Sequence, residues 1–155
     1  MSTASLPDDV ALMQLALAEA RAAEAAGEVP VGAIVVSPAG EVIARGNNRV
    51  LRDNDPTAHA EIVALREAGS AFHNYRLTGC TLYCTLEPCA MCAGAILHAR
   101  IARLVCAAPD PKAGACGSAL SVMNHPALNH RVEVLTGPLA AESSTLLTNF
   151  FRARR

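Results

Sequence analysis

Two short stretches of the chain concentrate residues able to do chemistry. His59-Ala60-Glu61 puts an imidazole two positions before a carboxylate, and Pro88-Cys89-Ala90-Met91-Cys92 puts two thiols three positions apart. Zinc takes thiolate sulfur and imidazole nitrogen in a tetrahedron. His59, Cys89 and Cys92 are therefore the candidate ligands of one zinc per subunit. The sequence offers no obvious fourth ligand, and an open fourth position is what a catalytic zinc keeps for water, whereas a structural site is closed by four protein ligands. Glu61 fits another role. Two helix positions span about 200 degrees, so His59 and Glu61 cannot share a helix side. Both approach one metal only if it lies off the N-terminal end of the helix. A carboxylate there takes a proton from activated water and delivers it to a substrate, which makes Glu61 the candidate catalytic residue.

Either motif alone is weak. A lone C-x-x-C also serves as a redox pair or as two buried small residues. Together, with each motif opening a helix after a strand, the two are far more restrictive. The elements that must position them follow from periodicity and breakers. Residues 7–27 read as an amphipathic helix with Val10, Met13, Leu17 and Ala20 at helical spacing, acids at its start and Gly27 at its end. Val31–Ser37 and Glu41–Arg45 read as strands around the turn Pro38-Ala39-Gly40. A helix over 57–69 opens near Asp55-Pro56 and closes at Gly69. Thr81–Leu86 is a strand, Pro88 to about His98 a helix, Ile101–Ala107 and Val132–Leu135 strands, and a last helix starts at Pro138. One further short helix is expected before the final strand. The alternation predicts an α/β fold, a three-layer α/β/α sandwich on a mixed five-stranded sheet that is partly parallel.

The 155 residues suit a single domain, 1–155, without repeats or linkers. With 52% hydrophobic and 17% charged residues the chain can bury one substantial core and is not disordered. Aromatics are only 3%, so that core is built of Ala, Val, Leu and Ile. The net charge of -1 does not mark a nucleic-acid binder, but the charge is uneven: residues 1–67 hold ten acids and five bases, residues 68–155 four acids and eight bases. A basic C-terminal half can meet a phosphate backbone, although scatter and a compositional taste for Arg give the same pattern. The apolar run Val10–Ala18 follows two acids, so no secretory signal is read, and no run is long enough to span a membrane. A cytoplasmic chain with reduced thiols is expected, in which a metal site is the better use of paired cysteines.

The motifs resemble those of the bacterial tRNA-specific adenosine deaminases, of the cytidine deaminase-like superfamily. The likeness is carried by Asp55-Pro56-Thr57-Ala58-His59-Ala60-Glu61 and by Thr85-Leu86-Glu87-Pro88-Cys89-Ala90-Met91-Cys92-Ala93-Gly94-Ala95. Asn129-His130-Arg131-Val132-Glu133 and Phe150-Phe151-Arg152 add to it, and it runs from about Val29 to the end. The resemblance implies the cytidine deaminase-like fold, a homodimer, and hydrolysis of adenosine to inosine at the wobble position of an arginine tRNA. The adenosine must leave the anticodon stack to reach the metal, where hydroxide would attack C6 while Glu61 handles the protons.

The same resemblance assigns substrate contacts by position. Asn48 would touch the flipped base, and Asp110 the ribose and backbone; a turn Asn and a solvated loop acid are the plain alternatives. The backbone at Ala60 and Cys89 would help hold the base. Phe151 would stack on RNA and Arg152 and Arg155 meet phosphate, against core packing for one of the paired Phe residues and a solvated tail for the arginines. Val50 and Pro109 depart from the family, which often has Pro and a basic residue there. Cys84 and Cys106 read as core residues, Cys80 and Cys116 as free thiols near turns, and His73 and His98 as surface groups. His125 and His130 sit in the RNA-facing part of the pattern. Two other readings share the zinc motif: a deaminase of free guanine or cytosine, and a non-catalytic RNA-binding module with structural zinc.

Overall fold

A computed structural model describes residues 7–154. Its elements are α1 (Pro7–Ala25), β1 (Gly32–Val36), β2 (Val42–Asn47), α2 (Ala60–Phe72), β3 (Thr81–Leu86), α3 (Ala90–His98), β4 (Arg103–Ala108), β5 (Glu133–Thr136) and α4 (Ala140–Arg152). The five strands form one sheet in the order β2-β1-β3-β4-β5. β1 is antiparallel to both β2 and β3, while β3, β4 and β5 run parallel. The expected mixed five-stranded sheet is present, and it has one consequence for function. Four strands share a direction, so the loops that follow β2, β3, β4 and β5 all leave at the same end of the sheet.

Side chains alternate across the strands, and both faces are covered. Ala33, Val35, Leu82, Cys84, Leu104 and Cys106 pack with Ala60, Ala64 and Ala68 of α2 and with Ala93, Ile96 and Leu97 of α3. Ile34, Val36, Tyr83, Val105 and Ala107 face the other way, against Met13 and Ala16 of α1. The last helix joins this second layer beside α1, and the Ser143 hydroxyl donates to the Thr85 carbonyl at 2.5 Å. Three layers result because a sheet with two apolar faces must bury both.

The helix bounds differ from expectation where polar side chains capture the backbone. The second helix was expected over 57–69. It starts at Ala60 because the Asp55 carboxylate accepts the Thr57 N–H at 2.8 Å and the Thr57 hydroxyl at 2.7 Å, holding 55–58 as a turn. It runs past Gly69 to Phe72, where His73 adopts φ +52°. The short helix expected before the last strand does not form among the described residues. That stretch is turns with one isolated bridge, Cys116 to Ser121. Asp9, read as a first-turn acid, is fully buried and bonds Arg103 at 2.6 and 2.9 Å and the Tyr83 hydroxyl at 2.6 Å, tying α1 to β3 and β4.

Small residues let backbone meet backbone where α2 crosses the sheet. A Cβ on Gly46 of β2 would lie 2.6 Å from both Ala60 O and Ala64 N, atoms that cannot rotate away. Gly46→Ala is expected to lower stability by about 2 kcal/mol, in the range for overpacking a core. Thermal denaturation of the variant beside the parent measures it, and an unchanged midpoint contradicts the close approach.

Candidate metal centre

The three predicted ligands come together from two loops at that one end of the sheet. His59 is the N-cap of α2, with φ −67° and ψ 155°, and Cys89 is the N-cap of α3, with φ −73° and ψ 177°. Neither lies inside its helix, as the sequence had suggested. Extended backbone at each N-cap turns the side chain toward the helix end rather than along its flank. Cys92, three residues on and inside the first turn of α3, then reaches the same point. The His59 Nδ1 lies 3.6 Å from Cys89 Sγ and 3.5 Å from Cys92 Sγ, and the three donor atoms fall within 4.8 Å of one another. A tetrahedral zinc with Zn–S near ~2.3 Å and Zn–N near ~2.0–2.1 Å requires an S···N edge of about 3.6 Å. The donor set therefore fits zinc, and it is the sole cluster of its kind among the described residues.

Glu61, in the first turn of α2, is 4% exposed and lies against the Cys92 thiol. Burial pushes its carboxyl above the usual range, and burial together with the neighbouring Glu61 and Cys89 pushes the Cys92 thiol up. Three groups that repel one another as anions share a small space, and a divalent cation relieves that repulsion. The N-terminal ends of α2 and α3 converge here, and their dipoles favour negative charge as well.

A cavity of about 230 Å³ opens beside these groups. His59, Ala60, Glu61 and Cys89 line its floor, Val29, Val31 and Leu86 its apolar sides, and Asn48, Glu87, Asp110 and Ala113 its remaining walls. Asn48, Ala60 and Asp110 thus join the ligands and Glu61. The Asn48 amide is engaged locally: Nδ2 donates to Val29 O at 3.3 Å and Oδ1 accepts the Val50 N–H at 3.2 Å. Asp110 Oδ1 accepts the N–H groups of Lys112 and Ala113 at 3.1 and 3.2 Å. A second cavity of about 460 Å³ shares Val29, Asn48 and His59 and extends to Leu51, Phe150 and Arg154. Arg154 stacks over the Phe150 ring at 3.5 Å from its centroid. Phe151 and Arg152 are exposed on the same helix and line neither cavity, and Arg155 lies outside the described residues. A larger hollow of about 860 Å³ lies on the outer side of α2 and α3, away from the ligands.

The remaining candidates fall outside the centre. Cys84 and Cys106 are register partners buried in the core with sulfurs 3.7 Å apart. His73, His98 and His125 are exposed, and His130 contacts the Ile101 carbonyl at 2.7 Å. Two residues that matter to the site were not singled out from the sequence. Glu28 is 1% exposed and accepts the N–H groups of Leu51 and Arg52 and the Arg52 guanidinium, fixing the loop after Asn48. Glu87 accepts donors from the loop after β4. The signal available was an acid within an apolar or Pro-flanked stretch, Gly27-Glu28-Val29 and Leu86-Glu87-Pro88. Their partners lie 23 residues or more away in sequence, so no local pattern names them.

These observations meet a consistent set of relatives. Residues 6–108 match the family model of the cytidine and deoxycytidylate deaminase zinc-binding region. The chain is 52% identical over 147 residues to the tRNA-specific adenosine deaminase of Haemophilus influenzae, covering 95% of this chain and 85% of that one. It superposes with a TM-score of 0.85, at 48% identity, on a structure from a study of A-to-I editing by tRNA:A34 deaminases at the wobble position of transfer RNA, covering 88% of this chain and 99% of that one. A guanine deaminase from Nitrosomonas europaea is more distant, at 30% identity and a TM-score of 0.80, covering 95% of this chain and 85% of that one.

Two outcomes are expected. Cys89→Ser and Cys92→Ser should each lose most of the zinc that copurifies with the parent, while Glu61→Ala retains it, as read by metal analysis; loss in Glu61→Ala would make Glu61 a ligand. Burial opposes the Glu28 charge, but the N–H groups of Arg52 and Leu51 and the guanidinium hold its carboxyl below the ordinary value. A depressed carboxyl stabilises the fold above the unfolded value of about 4.3 and loses that contribution as pH falls through the folded one. Glu28→Gln should cost about 2 kcal/mol at neutral pH. The gap from the parent should close below about pH 4, checked by denaturant melts across a pH series.

Proposed function

Because the chain belongs to the tRNA-specific adenosine deaminase family of cytidine deaminase-like zinc enzymes, we propose that it acts as a single deaminase domain converting adenosine to inosine at the wobble position of a tRNA anticodon loop. The observation that carries the chemistry is the buried Glu61 carboxyl beside a three-donor zinc set, at the floor of a cavity with apolar sides. His59, Cys89 and Cys92 hold the zinc, which when bound acidifies water and makes it a nucleophile at neutral pH. Glu61 accepts one proton of the attacking water and donates it to N1 of the purine; it then takes the remaining hydroxyl proton of the C6 adduct and passes it to the departing amine as the C–N bond breaks, so that water and adenosine become inosine and ammonia. The Ala60 and Cys89 backbone and the walls at Asn48 and Asp110 hold the nucleoside, and the apolar sides exclude bulk water.

A free base would need only the smaller cavity. The larger adjoining one, reached through Val29, Asn48 and His59, gives room for more of a strand. It is bounded by Phe150 and Arg154. Phe151 and Arg152, exposed on the same helix outside the cavity, are the proposed stacking and phosphate contacts, and Arg155, outside the described residues, is proposed with them from the sequence alone. Higher identity to the tRNA enzyme than to the guanine deaminase favours the same reading. We also propose an arginine tRNA as the substrate, and a homodimer built on the outer side of α2 and α3. Ile62, Leu65 and Ala95 line a hollow there, and Tyr75 is 68% exposed. No helix among the described residues is long and apolar enough to cross a membrane, and a cytoplasmic location is proposed with the tRNA substrate.

Inosine should form on tRNA and on an anticodon stem-loop but not from free adenosine, and free guanine and cytosine should be left unchanged. Glu61→Ala should lower the rate about a thousandfold with zinc retained. Nucleoside analysis by mass spectrometry reads both, and turnover of free guanine without any on tRNA would overturn the reading.

A further inference from the structure

The loop over residues 109–118 forms one wall of the base cavity through Asp110 and Ala113, yet it contains no helix or strand. Within it the Asp110 side chain accepts the Lys112 and Ala113 N–H groups, and one buried side chain outside it ties its two ends together. Glu87 is 5% exposed and sits between the end of β3 and the zinc ligand Cys89. Its Oε1 accepts the Asp110 N–H at 3.1 Å, and its Oε2 accepts the Cys116 and Ser118 N–H groups at 2.9 and 3.2 Å. The Ser118 hydroxyl also donates to Oε1. Glu87 itself borders the cavity, but its carboxylate is surrounded by four loop donors, which take up its lone pairs. A Cβ on Gly114 would fall on the carboxylate, so the loop closes onto it through a position that has no side chain. The segment's own backbone adds two links, Glu87 N–H to Ala108 O and Ala115 N–H to Pro88 O, both 2.8 Å.

We propose that Glu87 is a positioning residue for deamination, which locks Asp110 and Ala113 at a set place relative to the zinc ligands and thereby shapes the substrate side of the cavity. This rests on the deaminase reading above. Glu87 does not carry the proton, because its oxygens face loop donors, and it is not among the metal donors. What it supplies is a common reference. The two residues Glu87 and Pro88 hold the loop, and the next residue is a zinc ligand, so metal and wall cannot drift independently. A buried carboxylate is suited to this because charge-assisted bonds to backbone N–H groups are about twice as strong as neutral ones. Loop walls loosened by removing them would cost substrate binding first.

The test uses zinc-loaded Glu87→Gln, which keeps size and removes charge and half of the acceptor capacity. Amide exchange at Asp110, Cys116 and Ser118 should accelerate by about tenfold or more, while amides of α2 and α3 such as Val63 and Ala93 keep their rates. Zinc content should equal that of the parent. On the anticodon stem-loop, KM should rise about tenfold and kcat fall less than about threefold, the pattern of lost uniform binding. Ser118→Ala, which removes one donor at an exposed residue, should move exchange and KM the same way by less, and should add little on top of Glu87→Gln. Unchanged exchange at the three amides, or loss of zinc from Glu87→Gln, overturns the proposal; so does a fall in kcat with KM unchanged. Exchange decides the hold on the loop whatever the substrate, so a parent enzyme inactive on RNA overturns the substrate reading alone.

Discussion

Holding a buried carboxyl, a buried thiol and a half-buried one within reach of one imidazole is the constraint that the rest of the structure answers. Such groups repel as anions, and burial alone drives Glu61 and Cys92 toward their neutral forms. Three features work in the opposite direction. Two helix N-termini aim at the cluster, His59 supplies a nitrogen donor, and the donor spacing matches a tetrahedral zinc. The cluster is costly by itself and favourable only with a cation, and a site of that kind must be held in shape by its surroundings.

The sheet supplies the first part of that hold. Because β2 and β3 are both antiparallel to β1, they run in the same direction, and β4 follows β3 in parallel. The loops carrying His59, Cys89 and Asp110 therefore leave the sheet at the same end, the first across β1 from the second. Close contact of α2 on Gly46 sets how far the first of these helix ends can move. The crevice at the carboxyl ends of parallel strands is where ligands bind in open α/β sheets, and here it also collects the metal ligands.

Acidic side chains supply the second part. Asp55 takes the Thr57 donors and shapes the turn before His59, Glu28 takes the Leu51 and Arg52 donors after Asn48, and Glu87 takes those of 110–118. Irregular backbone that cannot join a helix or sheet still has to satisfy its N–H groups, and a carboxylate satisfies several at once. No buried side-chain nitrogen or oxygen among the described residues lacks a partner. The loop walls of the cavity are consequently held by carboxylates rather than by regular secondary structure.

Local rules were enough to nominate His59, Cys89 and Cys92 as candidate ligands, which the structure brings together, and to give Glu61 a separate role, because ligand chemistry depends on residue type and short spacing. They also read the strands and the mixed sheet, since short β-rich runs between turn residues, such as Ala33–Val36 and Thr81–Leu86, suit strands buried on both faces. The same rules misplaced the start of α2, because Asp55 captured the Thr57 donors, and they set a helix between β4 and β5 where Glu87 instead gathers the backbone. They left Glu28 and Glu87 unremarked, because a buried acid is recognised by partners distant in the chain. Residue type and short spacing were enough to nominate His59, Cys89 and Cys92 as the zinc donors and Glu61 as the proton carrier. Tertiary structure alone decided that His59 and Cys89 stand outside their helices as N-caps, and that three separate loops close one cavity, because backbone direction and long-range hydrogen bonds exist only once the sheet has formed.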